Sequence, residues 1–151
     1  MRSTLPALLA IALLASCQKQ EPRAIAVEDA WVRLAAVPGR PAAAYFTMKG
    51  GETPDRLVAI ASPKAATVEL HQGGMADGMM TMKPMTGADV AAGGETAFAP
   101  GGNHAMLFGV DPAIQPGGSL PLAFRFQSGK ALSAQAKVVA AGDAEPGHAG
   151  H

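Results

Sequence analysis

Glycine and proline clusters cut this chain into short apolar runs, and nothing else in the sequence limits its fold as strongly. The clusters are Pro38-Gly39, Gly50-Gly51, Ala92-Gly93-Gly94, Pro100-Gly101-Gly102 and Pro116-Gly117-Gly118. Apolar runs lie between them at residues 24–34, 42–48, 56–62, 66–71, 79–84, 95–99, 104–110, 120–126 and 131–140. None sustains the 3.6-residue period of an amphipathic helix. Short apolar runs separated by turn residues read as strands of a β-sandwich or barrel. With 18 Gly and 12 Pro in 151 residues, a helical bundle is excluded. A hydrophobic content of 48% excludes global disorder. Aromatic residues are only 5%, and much of the apolar fraction is Ala, so the core is expected to be lean and aliphatic. Twelve basic residues balance twelve acidic ones, which leaves no electrostatic footprint for nucleic acid.

The N-terminus reads as an address. Met1-Arg2 is a charged start, and residues 5–15 are apolar but too short to span a bilayer. The segment ends Leu14-Ala15-Ser16-Cys17, which resembles the lipobox of bacterial lipoproteins. Residues 1–16 are then a lipoprotein signal peptide, Cys17 the lipidated residue, and residues 17–23 a polar tether. Residues 24–140 form the domain. Residues 141–151 (AGDAEPGHAGH) are small and polar and are expected to form a flexible tail. Cys17 is the only cysteine, so cleavage and lipidation leave an extracytoplasmic chain with no free thiol. Disulfide frameworks and Cys-rich zinc, iron–sulfur or haem sites are excluded.

Sulfur and imidazole are unevenly placed. Of eight Met, five (Met75, Met79, Met80, Met82, Met85) fall in one eleven-residue stretch. Inside the domain stand only two His, His71 and His104, and Met106 follows His104 by two. Residues i and i+2 of a strand share a face, so His104 and Met106 can serve one target. His71 ends one run, and Met82 lies in the next after a Gly-rich connection at residues 72–78, an arrangement that a hairpin can bring together. Thioether sulfur is soft, neutral and not titratable, and soft sulfur selects Cu(I). Zinc prefers thiolate, imidazole and carboxylate. A blue-copper site needs a Cys thiolate, which the lipidated Cys17 cannot supply. Each element has a plainer reading alone: clustered Met as core filler, a strand His as a structural residue.

The spacing His71, Met82, His104, Met106 resembles the H-x10-M-x21-H-x-M signature of the PCu(A)C family of periplasmic copper chaperones. Ala43-Ala44-Tyr45-Phe46, Val68-Glu69-Leu70-His71, Asp77-Gly78 and Pro100-Gly101-Gly102-Asn103-His104-Ala105-Met106-Leu107 extend the likeness over residues 24–139. Many members carry a Met two residues after the first His, where this chain has Gly73; Met75 is then a candidate accessory ligand. The resemblance implies an all-β, cupredoxin-like Greek-key β-sandwich holding Cu(I) on His71, Met82, His104 and Met106. It further implies a non-enzymatic periplasmic chaperone, which the lipobox at Cys17 would anchor to a membrane. The implied acceptor is the binuclear copper centre in subunit II of a haem-copper oxidase, cytochrome c oxidase, reached directly or through a Sco-type protein. The tail residues His148 and His151, with Asp143 and Glu145, make a nitrogen–oxygen set suited to a weaker second ion, Cu(II). Two rival classes stand beside this reading: an interaction lipoprotein with structural Met and His, and a copper oxidase.

Overall fold

A computed structural model describes residues 22–147. Its strands are β1 (Ala26–Arg33), β2 (Ala42–Lys49), β3 (Asp55–Ala61), β4 (Thr67–Ala76), β5 (Met79–Pro84), β6 (Ala88–Val90), β7 (Glu95–Phe98), β8 (Asn103–Phe108), β9 (Ser119–Phe126) and β10 (Ala131–Val139). No helix occurs among the described residues. Nine of the ten strands follow the sequence runs. The tenth, β6, is only three residues long, too short to show alternation in the sequence.

The strands pair in the order β5-β4-β8-β2-β1-β10-β9-β3-β6, with β7 on the free part of β2. All pairings are antiparallel except β1 with β10. Most spatial neighbours are therefore distant in sequence, as Greek-key crossovers require. The path folds over one core that draws side chains from nearly every strand. β9 shows how sequence sets this up: Leu120, Leu122, Phe124 and Phe126 are buried while their neighbours are more exposed. That period-two alternation puts one face of the strand on the core.

Aliphatic side chains make up most of the core, as expected, but an aromatic cluster joins them. Few aromatics are present, but Phe46, Phe98, Phe124 and Phe126, four of the five phenylalanines, are fully buried within it. Phe46 stacks on Phe98 at 4.4 Å between ring centres and meets Phe124 edge-on at 4.9 Å. Each buried ring contributes roughly 2–3 kcal/mol by removal from water. Low aromatic content conceals this because composition counts residues, not where they sit.

The connection at residues 72–78 is also not a loop. β4 runs through Gly73 and Gly74 to Ala76, and β5 returns from Met79. Only Asp77 and Gly78 turn the chain, both with positive φ (51° and 76°). Positive φ at both central positions is the type I′ geometry that matches strand twist, and Asp-Gly is a favoured pair for it. The glycines at 73 and 74 looked like a loop, yet the turn signal lay at the next dipeptide.

Candidate metal centre

β4 and β8 are antiparallel neighbours, and their register places His71 directly opposite His104. Directly opposed residues share a face. Leu70 and Ala105, one step away, point into the core, so both imidazoles stand on the other face of the sheet. Their ring centres are 5.8 Å apart. Among the described residues His104 is the one buried polar side chain, 8% exposed. A buried polar group needs partners.

Each imidazole is anchored through one nitrogen. His104 Nδ1–H donates to the Gly102 carbonyl at 2.9 Å. Its Nε2 is thereby left with a lone pair, and it lies 3.2 Å from Met82 Sδ. His71 Nε2–H donates to Glu69 at 3.1 Å. Its Nδ1 is buried without a hydrogen-bond partner. Such anchoring fixes tautomer and ring orientation in metal-ligating histidines. Both side chains therefore present one held nitrogen and one nitrogen free to coordinate.

Met82 reaches His104 across β4, because β5 and β8 flank that strand on opposite edges. The β4 residue opposite Met82 is Gly73, two residues along from His71, which faces His104. A Cβ on Gly73 would lie 2.8 Å from the Gly102 carbonyl oxygen and 3.0 Å from that of Gly101. Gly73 is thus fixed by close backbone approach, and the accessory Met of related chains has no room here. Met106 stands on the same face as His104, between Ala43 of β2 and Glu69 of β4 in the register. The small Ala43 leaves Met106 partly exposed.

Farther along β2 and β1, on the same face, Trp31 and Tyr45 lie 4.4 Å apart. The Arg33 guanidinium sits 5.0 Å from the Trp31 ring centre and 5.6 Å from that of Tyr45. Burial pushes the Tyr45 phenol above its usual pKa, and the Arg33 charge opposes that shift. The sequence gives no sign of this aromatic flank, since its members come from two strands.

The structure brings His71, His104 and Met82 together and sets Met106 on their face. Met75 lies farther out on the hairpin, opposite Met80. The plainer reading of the Met cluster as core filler holds only for Met85, which packs on the core; Met75, Met79, Met80 and Met82 are exposed. Cys17, His148 and His151 lie outside the described residues. Among the described residues no three His, Cys, Asp or Glu side chains gather to hold a metal ion. The soft donor nearest the paired histidines is the Met82 sulfur, 3.2 Å from His104 Nε2.

Fold and site define a small β-sandwich with a soft, nitrogen-and-sulfur face. Comparison with known proteins places it. The family described as "Putative lipoprotein LpqE-like" matches residues 25–138, and the chain belongs to that family. A relative named "Putative lipoprotein Lxx21020", from Leifsonia xyli subsp. xyli, is 32% identical over 123 residues, covering 80% of this chain and 74% of its own. Among solved structures, the copper-bound PCuAC domain from PmoF2 superposes with a TM-score of 0.65 at 20% identity, covering 80% of this chain and 97% of that domain. Apo-DR1885 from Deinococcus radiodurans gives 0.57 at 25% identity over 93% of this chain and 97% of its own. Its Cu(I) form gives 0.55 at 26% identity, with 83% of each chain covered. The architecture is thus the cupredoxin-like β-sandwich of PCuAC domains.

Proposed function

We propose that this protein is a periplasmic Cu(I) metallochaperone, anchored to a bacterial membrane by lipid on Cys17, with no catalytic activity of its own. The observation that carries the reading is the juxtaposition of the anchored His71–His104 pair with the Met82 sulfur, 3.2 Å from His104 Nε2. His71, Met82, His104 and Met106 hold the ion as cargo. All four are neutral donors, so the bound ion keeps its single positive charge, with the Glu69 carboxylate beside it. Soft donors match Cu(I). Neutral ligands bind it less firmly than thiolates, so a thiol-bearing acceptor takes it downhill through ligand exchange, without electron transfer. A Sco-type protein, or subunit II of cytochrome c oxidase, suits that role in the periplasm. The copper-bound and Cu(I)-bound states named for structural neighbours support the cargo, and the lipoprotein names of family and relative support the anchor. His148 and His151 extend the reading to a weaker Cu(II) set in the tail.

The test is competition for Cu(I) against a chromogenic chelator. Wild type is expected to take one equivalent tightly, and His104→Ala to lose at least an order of magnitude in affinity. Equal competition by both proteins would reject the reading. For the tail, truncation after Ala140 is expected to abolish a weak Cu(II) paramagnetic signal; an unchanged signal would reject that set.

A further inference from the structure

The β4–β5 hairpin carries more sulfur than the paired histidines need. Past Gln72, which pairs with Asn103, β4 has no ladder partner on its second edge except the Gly73–Gly102 bond. The hairpin from there to the Asp77-Gly78 turn is a two-stranded arm. Met75 is 67% exposed and Met80 72%, so neither packs a core.

Their placement is patterned. Met75 pairs with Met80, Gly73 with Met82, and His71 with Pro84. Directly opposed pairs and alternate residues share one face of a hairpin. Met75, Met80 and Met82 therefore line the same face as His71. The reverse face bears Gln72, Thr81 and Lys83, with Met79 and Ala76 next to the turn. Thioethers on one side and mostly polar groups on the other are not what solvation of an exposed arm requires. Outside the cytoplasm, exposed Met is also open to oxidation to the sulfoxide.

We propose that Met75 and Met80 form an outer Cu(I) station, with Met82 as the ligand it shares with the His71–His104 set; this rests on the chaperone reading. Opposed Cβ atoms lie about 4.5–5.5 Å apart and diagonal ones about 7–8 Å. Methionine has three rotatable side-chain bonds, so two or three sulfurs can close on one ion from such positions. The outer station has no imidazole and binds more weakly. An ion captured there stays on Met82 while His104 Nε2 adds, and then leaves Met75 and Met80. Coordinate bonds exchange, the ion remains Cu(I), and no proton or electron moves.

The experiment uses the full chain with 13C-methyl methionine, titrated with Ag(I) as a redox-inert substitute for Cu(I). The first equivalent is expected to shift the Met82 and Met106 methyls. The second is expected to shift Met75 and Met80 and to move Met82 again. M75L/M80L should keep the first equivalent, lose the second, and load the inner set from a weak Cu(I) chelator several-fold more slowly. Met75 and Met80 methyls that stay unmoved through two equivalents, while Met82 and Met106 shift, would overturn the outer station and leave the chaperone reading standing. Methyls that all stay unmoved would overturn both.

Discussion

Met82 and His104 stand 22 residues apart on strands that do not pair, yet the Met82 sulfur lies 3.2 Å from His104 Nε2. The intervening strand β4 pairs with both, setting Gly73 beside Met82 and His71 beside His104. Two features of sequence meet in this contact: a hairpin turn and a strand register.

Gly73→Met is expected to damage the site instead of adding a ligand. Its Cβ would press on the Gly101 and Gly102 carbonyls, and Gly102 also anchors His104. Overpacking of this kind costs about 1–3 kcal/mol. Thermal denaturation should show a lower Tm, and chelator competition a weaker hold on Cu(I). A variant that is as stable as wild type and binds more tightly would contradict this account of Gly73.

Glu69→Leu removes the acceptor that holds His71 Nε2. Removing such a partner of a metal-ligating histidine typically lowers affinity about 10–100-fold. Glu69 is half exposed, so stability should change little. Unchanged Cu(I) affinity in the chelator assay would mean that Glu69 does not orient the ring.

Phe46→Ala tests the core. Phe46 touches both Phe98 and Phe124 and is fully buried. The loss should be about 3–5 kcal/mol by chemical denaturation. Under 1 kcal/mol would mean that the aromatic cluster contributes little to the core.

Much of this was readable in advance, for reasons that differ by element. β9 and β10 were legible because alternation in their sequences is enforced by burial on one face. That His71, Met82 and His104 come together was legible through the resemblance their spacing carries, and the register of β4 with β5 and β8 produces it. The length of β4 was not, because Gly73 and Gly74 resemble a loop in sequence and only pairing with Thr81 and Met82 makes them strand. The Glu69 and Gly102 anchors were also hidden: one is an ordinary surface acid, the other a backbone carbonyl that no side-chain pattern reports. The Phe cluster formed from residues on β2, β7 and β9, which sequence order keeps apart.

Acid sensitivity should trace partly to Asp55. Burial works to raise its pKa, but hydrogen bonds from the Ser128 hydroxyl, the Arg56 and Ser128 N–H groups and the Lys130 charge outweigh it, so the folded-state value is lowered. A lowered carboxylate pKa adds stability above the unfolded value of about 3.9, and that stability is lost as pH falls through the folded value. Asp55→Asn should therefore be less stable than wild type at pH 7, with the gap closing as the pH is taken below the unfolded value. Denaturation series across that range check this; a gap that widens in acid would contradict it.

We propose one Cu(I) ion on two imidazoles and two thioethers. X-ray absorption at the copper edge, on protein loaded with one equivalent of Cu(I), reads that set directly. The expected spectrum has the edge shape of Cu(I) and an inner shell containing both imidazole nitrogen and sulfur, with the sulfur contribution reduced in Met82→Leu and the imidazole contribution reduced in His104→Ala. A shell without sulfur, or one that neither substitution alters, would contradict it.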